Sequence, residues 1–91
     1  MATIHVNTDV MRHLGQLFVN LSHYIWDDIR PQIENGIHQL ESDWQGVSRQ
    51  RFEQLFAEWR HYAHQITELG YQIGQHLERT ADAFDNADQS S

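Results

Sequence analysis

Seven histidines and thirteen carboxylates in a chain of 91 residues invite a search for metal or acid–base chemistry. The densest set is His61 and His64, three residues apart, with Glu58 and Glu68 close by. Positions three and four apart share one face of a helix, so these four side chains can be drawn as a mixed imidazole and carboxylate site for a divalent metal. Such a site needs further converging ligands and groups that orient them, and the sequence supplies neither. Glu58, His61 and Glu68 are read as a solvated face beside the core band, with no metal and no cofactor expected. His76 falls in line with Leu55, Tyr62 and Leu69 and reads as a packing residue at a bundle edge. No Ser/His/Asp arrangement, Gly-rich phosphate loop or H-E-x-x-H signature recruits it. With no cysteine, a thiol nucleophile, a thiolate metal site and a disulfide are all excluded. The chain does not read as an enzyme.

The charge balance narrows the partners. Thirteen acidic residues face six arginines and no lysine, for a formal net charge of −7. That opposes binding to nucleic acid or anionic lipid through counterion release. Charging all seven histidines would bring the net charge to zero, so the surface is unusually dependent on pH. No run of about eighteen apolar residues is present to span a membrane. The opening residues 1–7 are short and mixed and lack the basic and apolar regions of a cleaved secretory signal. A single domain is expected over residues 1–91, with residues 1–7 and 85–91 as flexible tails.

The elements that position these residues follow from periodicity. Asn7 can cap a helix with Asp9 in its first turn, and Val6 with Met11 fits a hydrophobic staple. Apolar residues then recur every three or four positions at Val10, Leu14, Leu17, Leu21, Ile25, Ile29, Ile33, Ile37 and Leu40, which makes one amphipathic face. Pro31 interrupts it, since its ring collides with the Asp27 carbonyl and it has no N–H, at a cost of roughly 3 kcal/mol in a helix interior. The stripe nevertheless keeps phase across the proline, which predicts a kinked but continuous helix over about residues 8–42, ~50 Å long. Trp26, at the border of the stripe and one turn before Arg30, reads either as an anchor for a partner or as a cover over the bend.

The midpoint, Ser42-Asp43-Trp44-Gln45-Gly46, is the turn. Two local readings compete: Gly46 ends the first helix in the left-handed region, or Ser42 and Gln45 form a capping box opening the second. A short loop over residues 43–46 suits both. Beyond it Phe52, Trp59, Ile66 and Ile73 repeat every seven residues, flanked by Leu55, Tyr62 and Leu69 on one side and by Phe56, Ala63, Gly70, Leu77 and Phe84 on the other. This predicts a second helix over about residues 47–84. Gly70 and Gly74 each cost about 1 kcal/mol of helix propensity relative to Ala, and close backbone approach is their expected return. The band is wider than a single seam requires, so the helix should touch more than one neighbour. The expectation is all-α: an antiparallel two-helix hairpin that dimerises into a four-helix bundle. Leu17, Leu21, Ile25, Ile33, Phe52, Phe56, Trp59, Ile66 and Ile73 are the candidates for its core and dimer interface.

Taken together, the central Trp44-Gln45-Gly46, the two near-equal amphipathic helices, Ile33, Ile37 and Leu40 before the Trp, and Phe52 and Trp59 after the turn resemble the WXG family of roughly hundred-residue, early-secreted-antigen-like proteins. The match covers the whole chain. The resemblance implies a substrate of type VII secretion: made in the bacterial cytoplasm, exported folded without a cleaved signal, and paired with itself or with a similar hairpin. It also implies contact with the secretion ATPase and an adaptor or effector role through protein contacts. Family members often carry a Y-x-x-x-D/E export element after the second helix. Its counterpart here is Phe84-Asp85-Asn86-Ala87-Asp88, with Phe84 and Asp88 in the key places, keeping the ring and the acid but lacking the hydroxyl. The alternative reading is a cytoplasmic, ligand- or metal-responsive bundle that uses the His-rich face.

Overall fold

The computed structural model describes residues 6–40 and 43–90, with side chains through residue 87. The chain runs as α1 (Thr8–His23), a π-helical turn (Tyr24–Ile29), α2 (Arg30–Gln39) and α3 (Val47–Ser90). It forms a hairpin measuring 68 × 20 × 13 Å. Asn7 caps α1 as expected: its backbone is extended and its side-chain oxygen accepts from the Val10 N–H, with Asp9 in the first turn.

The first helix is continuous across the proline, and the way it manages this is local. The backbone stays right-handed helical at His23, Tyr24, Ile29 and Arg30. The hydrogen bonding, however, widens to five residues, with the Arg30 N–H donating to the Ile25 carbonyl. A wider turn just ahead of Pro31 accommodates the ring that would otherwise strike the preceding turn. Pro31 lies in the first turn of α2, and the Arg30 side chain donates through Nε to the Trp26 carbonyl in the turn before it at 2.9 Å.

At the far end Leu40 closes the first helix, and its carbonyl receives the N–H groups of Asp43 and Trp44. Gly46 has φ of +101°, but it does so as the residue opening α3, its carbonyl accepting from Gln50. It therefore does not terminate the first helix. The alternative capping box depends on Ser42, which lies outside the described residues. The second helix also runs further than expected. It continues to Ser90, so residues 85–90 are helical where a tail was expected from residue 85 onward. The composition there is small and polar, and α1 reaches its first residue: Thr8 and Arg12 bond Asp85, and Arg12 also bonds Asp82 just before it.

Side-chain size decides how the two arms meet. Across α1 and α3 the fully buried positions are small: Gly15 and Ser22 face Ala63, Thr67, Gly70, Gly74 and Ala81. The Ser22 hydroxyl donates to the Thr67 carbonyl at 3.1 Å across this seam. A side chain at Gly74 would meet Val19 Cγ2 at 2.6 Å and the Gly15 carbonyl oxygen at 3.0 Å. The two glycines on α3 thus permit close backbone approach. The line of α3 that is Gly70 and Ala63 here becomes Phe56 nearer the turn, one heptad earlier. There Trp44, Phe52, Phe56 and Trp59 form a chain of ring contacts 5.1–6.1 Å apart, and no Cα of α2 comes within 8 Å of α3. The hairpin is tight at its open end and wider at its turn.

Candidate functional site

The large apolar side chains are not in the seam. Leu17 (49% exposed), Leu21 (55%), Ile66 (59%) and Leu69 (54%) stand on one side of it, with Leu14, Tyr62 and Trp59 also exposed. Of the nine candidates for core and interface, none is fully buried. Leu17, Leu21, Ile33, Trp59 and Ile66 are exposed, while Ile25, Phe52, Phe56 and Ile73 are half-buried. The seam's small residues bring the helices so close that bulky neighbours are squeezed to its flank. A groove of about 250 Å³ runs along that flank between Phe18, Leu21 and Ile25 on one arm and Ile66, Leu69 and Ile73 on the other. A second, of about 300 Å³, continues toward the turn past Ile29, Trp59 and Tyr62. Contiguous apolar surface of this kind marks an interaction site.

The turn motif lies at one end of the molecule. Trp44 is half-buried, its ring 5.1 Å from that of Phe52 and its indole N–H donating to Ser48 Oγ at 2.8 Å. Gln45 and Gly46 are exposed. Phe84 lies at the opposite end and is partly exposed, while the side chain of Asp88 lies outside the described residues. One chain therefore does not bring its own turn and export candidate together.

Between Phe84 and the first helix is a clasp that periodicity did not reveal. Arg12 donates to both Asp82 and Asp85 at 2.7 Å, and Thr8 Oγ1 donates to Asp85 at 2.8 Å. The bond from Arg12, then that from Thr8, holds the Asp85 carboxyl below its ordinary range, and the two carboxylates push the Arg12 guanidinium up. A second clasp joins α2 to α3. Glu34 accepts from Arg60 Nε and from Arg30 Nη1, each at 2.8 Å, and those bonds, Arg60's first, lower its pKa. Carboxylates with depressed folded values contribute stability above their unfolded values, about 4.5 for Glu34 and 3.8 for Asp85, and lose it as pH falls through the folded values. The melting temperature should therefore drop below about pH 4.5. A double Glu34→Gln, Asp85→Asn variant should melt lower at neutral pH and lose less on acidification, which thermal scans from pH 7 to 3 will measure.

The same Glu34 clasp surrounds Trp26. The Arg30 guanidinium lies 4.3 Å and that of Arg60 5.1 Å from the indole centroid, and the His64 ring meets it edge-on at 4.9 Å. Trp26 thus covers the bend and is also half-exposed beside an open cleft of about 460 Å³ lined by Ala57, Arg60, His61 and His64. Among the described residues no group of three His, Asp or Glu side chains is placed to hold a metal ion. His64 pairs with Glu68 at 3.6 Å, His61 contacts the Tyr62 ring, and His76 is exposed. Among the described residues no helix is long and apolar enough to cross a membrane.

Residues 3–89 match the family model WXG100, described as proteins of 100 residues with WXG. Two solved structures resemble the whole hairpin, both mutants of the secreted protein EsxB from Bacillus anthracis str. Sterne. One aligns over 100% of this chain and 99% of its own, with a TM-score of 0.78 and 25% sequence identity. The other aligns over 94% and 98%, with a TM-score of 0.77 and 26% identity. No curated protein sequence matches the chain.

Proposed function

The chain belongs to the WXG100 family, and from that premise we propose that it is exported folded, as a dimer, by a type VII secretion system and acts through protein–protein contacts as an adaptor or effector. The observation that carries this reading is the uncovered apolar flank from Leu14 to Ile73, which a lone hairpin leaves in water. A second copy, or a similar hairpin, laid against that flank completes a four-helix bundle. Antiparallel pairing sets the turn of one subunit beside the ends of the other, so Trp44-Gln45-Gly46 and the partner's segment carrying Phe84 and Asp88 form one recognition surface for the secretion ATPase. Phe84 supplies the ring of that surface without a hydroxyl.

The test is export from a producing bacterium with and without that ATPase, run beside denaturant melts. Trp44→Ala removes a half-buried ring and its bond to Ser48, so the stability loss should be about 1–2 kcal/mol, below the range for a fully buried aromatic. Phe84→Ala should cost less, and both variants should stay in the cell. Wild-type export that persists without the ATPase, or normal export of both variants, would overturn the reading.

A further inference from the structure

The seam divides the hairpin's long sides into two different surfaces. On α3, Ala63 and Gly70 mark the line that faces the first helix. At 3.6 residues per turn, Tyr62, Ile66 and Leu69 fall to one side of it and Arg60, His64 and Tyr71 to the other. The first side is the apolar flank. The second carries the cleft at Trp26, Ala57, Arg60, His61 and His64, which a partner seated on the apolar flank leaves uncovered. We propose that this cleft is a docking site for an acidic, carboxylate-rich peptide segment of another protein, gripped by Arg60 beside the indole of Trp26.

Several observations point the same way. The chain has only six arginines and no lysine against thirteen acids, yet two of those arginines converge on one tryptophan. Both are held before any ligand arrives: Glu34 takes Arg60 through Nε and Arg30 through Nη1, and Arg30 Nε donates to the Trp26 carbonyl at 2.9 Å. Fixing long side chains in advance removes much of the ordering cost of binding. Glu34 neutralises one of the two charges and leaves the other. No further acceptor engages Arg60 among the described residues, so its terminal nitrogens can take a carboxylate. His61 and His64 line the same opening and add imidazole N–H donors. Trp and Arg side by side are also the residues that most often dominate protein interfaces. The cleft is open and broad, which suits side chains of an extended segment. The overall charge of −7 repels any polyanion and a long one most, so the occupant is a short segment held by local contacts at Arg60 and not by the field of the whole chain.

The experiment uses a fluorescein-labelled peptide of eight glutamates and the full-length protein, followed by anisotropy at low salt, with an oligothymidylate of the same length as comparison. Saturable binding of the peptide is expected for the wild type. Arg60→Gln should weaken it on the order of tenfold, the loss expected when one partner of a charged contact is removed. Ala57→Glu, which places a competing carboxylate at the mouth one turn before Arg60, should do the same. Leu69→Glu, on the opposite flank, should bind normally, which separates this site from the pairing surface. The proposal is overturned by the absence of saturable peptide binding, by wild-type affinity in both cleft variants, or by oligothymidylate binding at least as tightly as the peptide.

Discussion

Replacing Gly74 by alanine should destabilise the protein, although the same change in an open helix stabilises. The intrinsic preference for Ala over Gly in a helix interior is worth about 1 kcal/mol. Against it stands the new methyl, 2.6 Å from Val19 Cγ2 and 3.0 Å from the Gly15 carbonyl oxygen. Val19 is β-branched and stiff at χ1, and Gly15 O is backbone, so relief requires the two helices to part. Overpacking of this kind costs typically 1–3 kcal/mol. Separating the seam also strains the Ser22 bond to Thr67, so a net loss of about 1–2 kcal/mol is expected. Gly36 is the internal control. No atom lies within 4 Å of a side chain placed there, so Gly36→Ala should raise stability by up to about 1 kcal/mol. Urea melts of the two variants should shift the midpoint in opposite directions. A Gly74→Ala protein as stable as Gly36→Ala would mean that the helices do not approach as closely as the seam implies.

Features that repeat along one helix were legible from the sequence, and features that depend on register between helices were not. The Asn7 cap, the unbroken phase from Ile25 to Ile37 across Pro31, the turn at Trp44-Gln45-Gly46 and close approach at Gly70 and Gly74 all follow from residue type and spacing. The π-helical turn is a step beyond this: the sequence says that Pro31 must disturb the helix, but not that a five-residue hydrogen bond from Arg30 to Ile25 absorbs the disturbance. The clasps were invisible because their partners lie far apart in sequence, Arg12 with Asp82 and Asp85 and Glu34 with Arg60. The second helix runs past its expected end, and the contact found there was hidden for the same reason. Residues after Phe84 have the composition of a fraying terminus, but Thr8 and Arg12 of α1 engage Asp85, the first of them. The wide apolar band divides in the structure. Its small half meets α1, and its large half is the exposed flank.

That flank leads to the largest expected effect, the separation of the proposed dimer by a single charge. Leu69 is 54% exposed in the hairpin and lies on the groove shared with Leu21 and Ile66. A substitution at an exposed helix position should change the stability of a lone hairpin by no more than about 0.5 kcal/mol, and glutamate is a good helix former. In the proposed dimer the same position is covered, and an unpaired carboxylate taken out of water costs several kcal/mol. Leu69→Glu should therefore weaken self-association on the order of a hundredfold or more, each tenfold being about 1.4 kcal/mol. Light scattering behind size exclusion at micromolar concentration should give a dimer mass for the wild type and a monomer mass for the variant. The melting temperature of the wild type should rise with protein concentration, because pairing stabilises the folded state by mass action, and that dependence should vanish in Leu69→Glu. The charge of −7 on each chain opposes pairing most strongly at low salt, so wild-type association should tighten as salt is added. A wild-type monomer at every salt concentration would rule out self-pairing and leave the flank to a different hairpin, in which case Leu69→Glu should abolish capture of that partner while the variant stays folded.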